Sequence, residues 1–388
     1  MSVESTNTSA PRGGRRDVWL DVLRFAAIAM VLGSHMDECT PDVHPWLRAV
    51  ADTWRCGGWT GVDLFFVLSG FLVSGLLFSE YDRLGTVNTG RFLIRRGFKI
   101  YPAFWVVFAF TVAYRLRYYG GWLTPPKILS ELLFVQNYVE GFWAPHWSLA
   151  VEEHFYLLLA LGVALTLKYA KAGAGDPFHR LPWVFLAVAA FCLSVRWYNG
   201  THYPFSLRIH LIPTHARIDS LFFGVLIAWA LRGRLWSGVN FSPGRRWQLL
   251  AAGAALFVPA FIYPFADVWW ILVFGVIAFY LGGGLLVMAG HGIRAAWPLP
   301  FRVAAFIGEH SYSIYLWHTP YRICINARLT KMLGIDDIWW LRTSFYMIGS
   351  IVVGCVMAKL IERPLLMLRD RWFPSRRSSL PSTVAAAA

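Results

Sequence analysis

The stretch WLDVLRFAAIAMVLGSHM at residues 19–36 decides the fold, because it is apolar and long enough to cross a bilayer as one helix. It nevertheless contains Asp21, Arg24 and His35. Ionisable groups within a membrane span are costly, so they usually face a protein interior or a wet cavity and mark function. Ten residues separate Arg24 from His35, which corresponds to about 16 Å and about three helical turns. The two side chains therefore share a face at different depths, unless Arg24 extends to the cytoplasmic interface and His35 lies at the opposite one.

Long apolar segments recur along the whole chain, in which 57% of the residues are hydrophobic and 15% are charged. This pattern predicts an all-α, polytopic membrane protein. The net charge of +14 fits cytoplasmic loops beside anionic lipid head groups, and it does not indicate nucleic-acid binding. The five cysteines have no metal-ligand spacing, so we expect no metal site. Cys39 and Cys56 share a predicted outer loop, where the sequence allows either a disulfide or two free thiols.

The hydropathy pattern predicts about ten transmembrane helices within a membrane domain at residues 18–365, flanked by disordered cytoplasmic tails at 1–17 and 366–388. We place the helices at 19–37, 61–79, 100–117, 149–167, 182–197, 217–232, 247–264, 268–288, 303–321 and 338–360. Basic residues are concentrated on one side of this arrangement, so the positive-inside rule places both termini in the cytoplasm. No internal repeat is apparent, which argues against a transporter, since many transporter folds contain repeats.

The second apolar segment, GVDLFFVLSGFLVSGLL at residues 61–77, contains regularly spaced small residues. Gly61, Gly70 and Gly75, together with two serines, predict a face suited to close helix packing. Asp63 lies at the outer end of this segment, near the level of His35. Its carboxylate is either a helix-end residue or a group that orients the imidazole or binds a substrate hydroxyl.

Seven motifs follow one another along the chain. In order they are LDVLRFAAIAMVLGSH (20–35), GVDLFFVLSGFL (61–72), RFLIRRGFKIYP (91–102), WSLAVEEHFYLL (147–158), RIDSLFFGVLIA (217–228), GEHSYSIYLWH (308–318) and IERP (361–364). Each motif is weakly specific, but the set resembles the membrane-bound acyltransferase 3 family over residues 18–365. The resemblance implies a multi-pass protein of the cell (inner) membrane that moves acyl groups, commonly acetyl from acetyl-CoA. The acceptors that it implies are hydroxyls of sugars, polysaccharides or secondary metabolites such as macrolides.

The resemblance also assigns residues at the donor side. The family's Arg/Lys-x10-His motif matches Arg24 and His35, and its Arg-x-x-Arg motif matches Arg96 and Lys99. Lysine at the second place keeps the charge but loses the two-pronged guanidinium, so a bidentate phosphate contact is not expected at position 99.

A second group of family residues precedes and enters the fourth predicted helix. The WSLxxE pattern matches Trp147, Ser148 and Glu152, whereas His154 stands where the family usually has glutamine. Some family members carry a fused extracytoplasmic hydrolase-like domain, and we expect none in this chain.

Arg91, Arg95, Arg96 and Lys99 form a basic cluster on the predicted inner face. Coenzyme A presents a pyrophosphate and a 3′-phosphate, which such a cluster would bind. The alternative is a positive-inside anchor without a ligand. The resemblance favours the phosphate role, above all for Arg96 and Lys99.

Glu152 lies four residues after Ser148 and shares its helix face. Its carboxylate would hold His35 in one tautomer, as the carboxylate does in a Ser-His-Asp triad. The alternative is a structural ion pair with Arg217 or Arg208.

Further candidates lie in the later helices. Arg217 and Asp219 are expected to pair with each other, with substrate contact as the second interpretation. Tyr312 and His318 are candidates for contact with the acceptor, and for His318 a structural hydrogen bond is equally expected.

The sequence therefore predicts an O-acyltransferase with no permanently bound cofactor, which uses acyl-CoA as donor. Arg96, Lys99 and Arg95 bind the CoA phosphates, and Arg24 lines the path, where it either polarises the thioester carbonyl or binds the pantetheine arm. His35 acts as general base or acyl relay. The expected acceptor is a cell-envelope polysaccharide or lipid-linked sugar, and a macrolide-type natural product is the second choice. Two other functions are open: a flippase for a lipid-linked sugar, and an acyl-sensing regulator without turnover.

Overall fold

The computed structural model describes residues 17–118, 123–170, 175–232, 241–293 and 296–374, which form helices and connections without a β-strand. The α-helices are α1 (Val18–Ser34), α2 (Pro45–Gly57), α3 (Gly61–Leu84), α4 (Thr89–Tyr118), α5 (Pro125–Leu132), α6 (Trp147–Tyr169), α7 (Leu181–His202), α8 (Leu207–His210), α9 (Ile218–Arg232), α10 (Pro243–Ala255), α11 (Val258–Ile262), α12 (Val276–Ala289), α13 (Leu299–Glu309), α14 (Ser311–Pro320), α15 (Ala327–Met332), α16 (Trp339–Met357) and α17 (Arg363–Trp372). Short 3₁₀ turns cover Gly58–Thr60, Ala144–His146 and Thr214–Ala216, and π-helical segments cover Ile271–Gly275, Tyr321–Asn326 and Ala358–Glu362. The prediction of an all-α protein is therefore confirmed for the described residues.

Helix α3 packs against α1, α9 and α12 and lies at the centre of the molecule. Its contact with α9 is close because glycines face each other: a Cβ at Gly70 or at Gly224 would clash with a backbone carbonyl oxygen of the opposite helix. Gly61 approaches a carbonyl of α1 in the same way, whereas Gly75 faces open space. The predicted small-residue face is thus confirmed at Gly61 and Gly70, but it does not extend to Gly75.

The ends of these central helices follow from local sequence. The Asp17 carboxylate accepts a hydrogen bond of 3.0 Å from the Trp19 backbone N–H and so caps α1. Helix α3 ends at Leu84 and is followed by Gly85, whose φ of +64° is favourable for a residue without a side chain.

Six described segments are long and apolar enough to cross a membrane, judged by length and composition. They are Pro45–Leu84, Thr89–Tyr118, Ala144–Tyr169, Leu181–His202, Ile271–Ala289 and Trp339–Trp372. Several of them direct apolar side chains outward, and only 11% of the apolar window in Leu181–His202 is buried within the protein. An apolar surface of this kind suits lipid acyl chains. A polytopic membrane protein is therefore supported, while the number of ten spans stays a prediction.

The other predicted spans are shorter or divided in the structure. Helix α1 has 17 residues and α9 has 15, fewer than the roughly 20 that usually cross a bilayer. The segment predicted at 247–264 is divided between α10 and α11, where Pro259 at the start of α11 has no N–H to continue a helix. The segment predicted at 303–321 is divided at His310 between α13 and α14.

The C-terminal helix α17 extends to Trp372, beyond the predicted end of the membrane domain at residue 365. The greater part of the two predicted tails, residues 1–16 and 375–388, lies outside the described residues, as do several basic residues on which the predicted orientation depends.

The two cysteines of the first predicted outer loop are free thiols. The Cys56 thiol donates a hydrogen bond of 3.3 Å to the Ala260 carbonyl oxygen in α11. Of the two alternatives for Cys39 and Cys56, the structure therefore has the free thiols.

Candidate active site

Three adjoining cavities follow helix α3 along its length. The basic cavity, of about 380 Å³, is lined by the last turns of α3 from Leu76 to Leu84, by the start of α4 and by α17. The central cavity, of about 170 Å³, is lined by α3 between Val62 and Val73 and by parts of α1, α4, α6 and α14. The histidine cavity, of about 450 Å³, contains His35 and adjoins the start of α3 at Val62. Val62 and Leu84 are 22 residues apart in one helix, or about 33 Å, which is close to the thickness of a bilayer core.

Shared residues connect the three cavities in this order. Arg96 and Lys99 line both the basic cavity and the central cavity. Val62 and Tyr315 line both the central cavity and the histidine cavity. The predicted Arg24 and Glu152 lie between these two junctions, in the central cavity. The arrangement brings the family's basic motif and its histidine to opposite ends of one series of cavities.

The basic cavity is rich in unbalanced positive charge. Its cationic lining residues are Arg83, Arg91, Arg95, Arg96, Lys99 and Arg369, and its one acidic lining residue is Glu80. Arg96 makes no ion pair with a described residue, and its guanidinium lies over the Phe92 and Tyr156 rings at 5.9 and 5.6 Å from their centroids. Cations that have few carboxylate partners and face a cavity favour an anionic ligand.

Lys99 differs from Arg96 because it already has a carboxylate partner. Its Nζ lies 2.6 Å from Oε2 of Glu362, and it is 5.8 Å from the centroid of the Tyr312 ring. Glu362 also accepts a hydrogen bond from Ser313. Arg95, in turn, is paired with Asp370 of α17 at 2.9 Å. The four residues of the predicted cluster thus line one cavity, but Arg95 and Lys99 are partly neutralised by carboxylates of the C-terminal part of the chain.

His35 caps the C-terminus of α1, and the backbone there determines its tautomer. The His35 backbone N–H bonds to Leu32 at 3.2 Å, so the Val31 carbonyl oxygen has no backbone donor among the described residues. That oxygen instead lies 2.9 Å from Nδ1 of His35 and accepts the Ser34 hydroxyl at 2.8 Å. A carbonyl oxygen only accepts, so Nδ1 carries the proton and Nε2 keeps its lone pair.

His318 packs beside His35, with ring centroids 5.0 Å apart at a steep angle. Its Nδ1 donates to the Tyr315 carbonyl oxygen at 2.5 Å, and its Nε2 accepts from the Thr319 hydroxyl at 3.1 Å. Both ring nitrogens are thus occupied and the side chain is fully buried. Of the two interpretations of His318, the structure favours the structural hydrogen bond over contact with an acceptor.

Glu152 does not orient His35. Its Oε2 accepts a hydrogen bond of 3.1 Å from the Tyr156 hydroxyl, which lies 2.7 Å from Ser69 Oγ. The ion pair of Glu152 with Arg217 or Arg208 is likewise absent from the described part of the chain. Both predictions for Glu152 are wrong, because Val31 takes the role of orienting His35 and the carboxylate faces the central cavity instead.

Asp63, Arg217 and Asp219 lie outside the three cavities. Together with Arg196 they form two ion pairs, which we call the buried ion-pair group. Arg217 Nη2 lies 2.7 Å from Asp63 Oδ1, and Arg196 Nη2 lies 2.8 Å from Asp219 Oδ2. The predicted pair of Arg217 with Asp219 is therefore wrong, since each has a partner on another helix. Asp63 neither contacts His35 nor lines any of the three cavities in the described structure.

Arg217 is held between two tryptophans. Its guanidinium lies 5.7 Å from the Trp59 ring centroid and 5.6 Å from that of Trp147. Both tryptophans line the histidine cavity, whereas Arg217 is fully buried behind them. The buried ion-pair group thus shapes the wall of that cavity without entering it.

The remaining predicted residues divide between the cavities. Trp147 lines the histidine cavity, and Ser148 and Tyr312 line the central one. Tyr312 therefore lies beside Lys99 and not beside His35, and its hydroxyl donates to the Ile100 carbonyl oxygen at 2.8 Å. Contact of Tyr312 with an acceptor beside His35 is not supported by this position.

Two residues at the junctions were not predicted as site residues. Tyr315 lies 2.5 Å from Ser148 and donates to the Pro145 carbonyl oxygen at 2.5 Å, between the central and histidine cavities. Glu362 lies beside Lys99. Both stand inside motifs that the sequence analysis quoted, so the signal was present, but only the packing of distant helices gives them their positions.

The rim of the histidine cavity includes Tyr138, whose ring stacks on His215 with centroids 5.7 Å apart. The Tyr138 hydroxyl lies 3.1 Å from Nδ1 of His215. Burial lowers the pKa of His215, because removal from water disfavours the charged imidazolium. His154, where the family usually has glutamine, bonds nearby to the Thr214 hydroxyl at 2.7 Å.

The fold and the site together define a helical membrane protein whose cavities join a group of cations to a histidine with an available lone pair. A family model described as “Acyltransferase domain” matches residues 17–359. The chain belongs to this family, acyltransferase 3.

Curated relatives agree with that assignment. The chain is 26% identical over 383 residues to the peptidoglycan O-acetyltransferase OatA of Listeria monocytogenes, which covers 89% of this chain and 55% of that protein. It is 28% identical over 329 residues to a Staphylococcus aureus protein provisionally named an O-acetyltransferase, covering 77% of this chain and 49% of that protein. It is 26% identical over 394 residues to YrhL of Bacillus subtilis, provisionally named a peptidoglycan O-acetyltransferase, covering 92% of this chain and 56% of that protein. The chain spans about half the length of the curated relatives it matches, and no solved structure matches it.

Proposed function

We propose that this protein is a membrane O-acyltransferase that moves an acyl group from cytoplasmic acyl-CoA to a hydroxyl of a carbohydrate. The central cavity of about 170 Å³ is small, which favours a short acyl group such as acetyl. The observation that supports this proposal most is the series of adjoining cavities along α3. It begins among cations, which suit an anionic donor, and ends at His35, which suits a proton acceptor. A path of about 33 Å along one helix would join substrates on the two sides of a bilayer.

The donor would enter at the basic cavity. Arg96 is the strongest candidate for a phosphate contact, because it has a guanidinium fork without a carboxylate partner among the described residues. Lys99 would contribute charge and not a bidentate contact, and its pair with Glu362 holds it at the junction with the central cavity. This placement requires the basic cavity to face the cytoplasm, as the predicted orientation with both termini inside would have it.

The acyl end of the donor would pass through the central cavity. Arg24 lines this cavity and is held by Asp21, with 2.8 Å between Nη1 and Oδ1. About 16 Å of helix α1 lies between Arg24 and His35, so Arg24 guides the pantetheine arm and does not contact the reacting carbonyl beside His35. Tyr315 stands at the exit into the histidine cavity, where the thioester would meet the acceptor.

The acceptor would occupy the histidine cavity. Trp59, Trp147 and Tyr138 present aromatic rings there, which suit the apolar faces of sugar rings, and Gln136 and Asn137 offer polar groups. Two of the relatives are named as peptidoglycan O-acetyltransferases, which supports a cell-envelope polysaccharide or its lipid-linked precursor as acceptor.

The proposed reaction begins when Nε2 of His35 takes the proton of the acceptor hydroxyl. The oxygen attacks the thioester carbonyl carbon, the new C–O bond forms, and the C–S bond breaks. The leaving CoA thiolate receives the proton from the imidazolium, so the products are an ester and CoA thiol. In the relay form of the reaction, Nε2 itself attacks the thioester carbonyl carbon, the C–S bond breaks, and the CoA thiolate leaves. The hydroxyl oxygen then attacks the acyl carbon, the N–C bond breaks, and the hydroxyl proton goes to the thiolate, so the products are again an ester and CoA thiol. In both forms the Val31 carbonyl holds the Nδ1 proton, which leaves Nε2 facing the chemistry.

The test compares wild-type protein with His35→Ala in nanodiscs, using acetyl-CoA labelled in the acetyl group and a mixed glycan extract. We expect transfer to fall by about 10² to 10⁴, the range for loss of a general base, while thermal stability stays unchanged. The matched control is His44→Ala, because His44 is an exposed histidine outside the cavities. Wild-type activity in His35→Ala would contradict the proposal.

The same experiment separates the two forms of the reaction. Label that remains on the protein when glycan is omitted, and that disappears with His35→Ala, would support the relay. Label that appears only on glycan would support direct transfer. If wild-type protein neither binds CoA nor releases it, a translocation function becomes the better explanation.

A further inference from the structure

The C-terminal helix α17 forms one wall of the basic cavity, although it lies outside the residues that the family model matches. Leu366 and Arg369 of α17 line the cavity together with α3 and α4. The C-terminal end of α17 also packs against α4, since the Phe98 ring lies 6.2 Å from that of Trp372 and 5.9 Å from that of Phe373, the residue after the helix. The position of α17 at the cavity is therefore supported by contacts of the aromatic residues that follow Arg369.

Two arginines from different helices share one carboxylate at this wall. Arg95 of α4 and Arg369 of α17 lie 2.9 and 2.8 Å from the same oxygen, Oδ1 of Asp370. Arg95 also donates to the Phe373 carbonyl oxygen, which fixes its guanidinium against α17. The two guanidinium groups are 23% and 19% exposed, whereas the Asp370 side chain is 54% exposed. The two arginines are thus largely buried, whereas the Asp370 carboxylate that pairs with them is accessible to solvent.

Two guanidinium groups directed at one oxygen are the arrangement that binds a phosphoryl group. A phosphate monoester carries more charge than a carboxylate and has three terminal oxygens, and a pyrophosphate offers four non-bridging oxygens and two negative charges. Either group can therefore satisfy both arginines at once. The neighbouring lining of the cavity adds Arg83 and Arg91, which bring further positive charge to the same space.

We propose that Arg95 and Arg369 form a second phosphate-binding point of the donor site, in which a phosphoryl group of acyl-CoA replaces the Asp370 carboxylate. This inference rests on the proposed function. It gives α17 a part in donor binding, separate from the contact of Arg96 at the junction with the central cavity. Asp370 serves as the resident anion that keeps the two arginines together until the donor arrives.

The experiment measures binding of CoA and of 3′-dephospho-CoA to the full-length protein in nanodiscs of zwitterionic lipid, so that anionic head groups do not compete. Arg369→Gln is expected to weaken CoA binding about tenfold, the scale of one lost charge-assisted hydrogen bond. Asp370→Asn is expected to strengthen it about two- to fivefold, because an exposed competing ion pair is removed. Arg371→Gln is the matched control, since Arg371 is an exposed arginine of the same helix that does not line the cavity.

The two ligands identify the phosphoryl group. If Arg369→Gln weakens CoA binding but not dephospho-CoA binding, the arginines hold the 3′-phosphate. If it weakens both equally, they hold the pyrophosphate. Either result supports the inference.

Four results would overturn it. Equal CoA affinity in wild type and Arg369→Gln would remove Arg369 from the site and leave the proposed function intact. Equal weakening in Arg369→Gln and Arg371→Gln would reduce the effect to general loss of charge, and weaker binding in Asp370→Asn would exclude the exchange of anions. Absence of CoA binding in the wild type would overturn the proposed function, and this inference with it.

Discussion

Two groups of charged side chains lie within the helices, the buried ion-pair group and the basic cavity, and they differ in charge balance and in access. In the buried ion-pair group each arginine has its own aspartate, and Arg217, Asp63 and Asp219 have no exposed surface. The basic cavity is lined by many more cations than carboxylates, and it encloses about 380 Å³ of free volume. Enclosed charges that are paired one to one have a structural role, whereas an excess of cations beside a cavity favours the binding of an anionic ligand.

The largest expected effect concerns the buried ion-pair group. Asp63→Ala leaves the Arg217 guanidinium buried without its partner, so we expect the free energy of unfolding to fall by about 3 to 5 kcal/mol. The measurement is denaturant unfolding of the protein in detergent micelles. Asp370→Ala is the control, because it also removes an arginine's partner, but at an exposed site where the loss is about 1 kcal/mol or less.

The double variant Asp63→Leu with Arg217→Met sharpens this result. Since it removes both charges, most of the lost stability should return. A stability of Asp63→Ala equal to that of the wild type would show that enclosure and balance do not distinguish the two groups.

A smaller effect, of a different kind, is expected in the basic cavity. Arg96→Gln removes one cation from an excess of cations, so the free energy of unfolding should change by about 1 kcal/mol or less. Donor binding should weaken about tenfold or more, because a charge-assisted contact with phosphate is lost. The measurement is the KM for acetyl-CoA, which should rise in Arg96→Gln. Arg245→Gln is the control, because Arg245 is exposed and does not line the basic cavity. A large loss of stability in Arg96→Gln would place this arginine with the buried ion-pair group.

The smallest expected effect uses salt to separate the groups. Raising ionic strength from about 0.1 to about 1 M shortens the screening length from about 10 to about 3 Å. Donor affinity should fall several-fold, because the basic cavity is open to solvent. The stability difference between Asp63→Ala and wild type should stay constant, because the pair is enclosed. Equal salt sensitivity in both measurements would contradict the comparison.

The parts of the site that depend on one helix could be predicted from the sequence. Helical spacing placed Arg24 and His35 on one helix at two depths, and the structure places them in adjoining cavities. Arg96 and Lys99 are one turn apart, so their common position at the junction also follows from spacing. Family motifs supplied the roles that spacing alone leaves open.

The parts that depend on distant helices could not be predicted in this way. Asp63 and Arg217 are 154 positions apart, and no local rule chooses between Arg217 and its other candidate partners. The same holds for Glu152, which was expected to hold His35. His35 is instead oriented by the Val31 carbonyl oxygen of its own helix, α1. Arg369 was assigned to a disordered tail, because its short basic helix becomes stable only when its aromatic residues pack on α4.

The tight last turn of α1 also has a consequence for the energy of proton transfer. The terminal carbonyls of a helix form the negative end of its macrodipole, and His35 stands directly at that end. When Nε2 takes a proton, the positive imidazolium that forms is therefore attracted by the same carbonyls that held the neutral ring in place. This stabilisation comes from backbone carbonyls. A change of side chain at position 31 that keeps the helix therefore leaves the hydrogen bond to His35 in place.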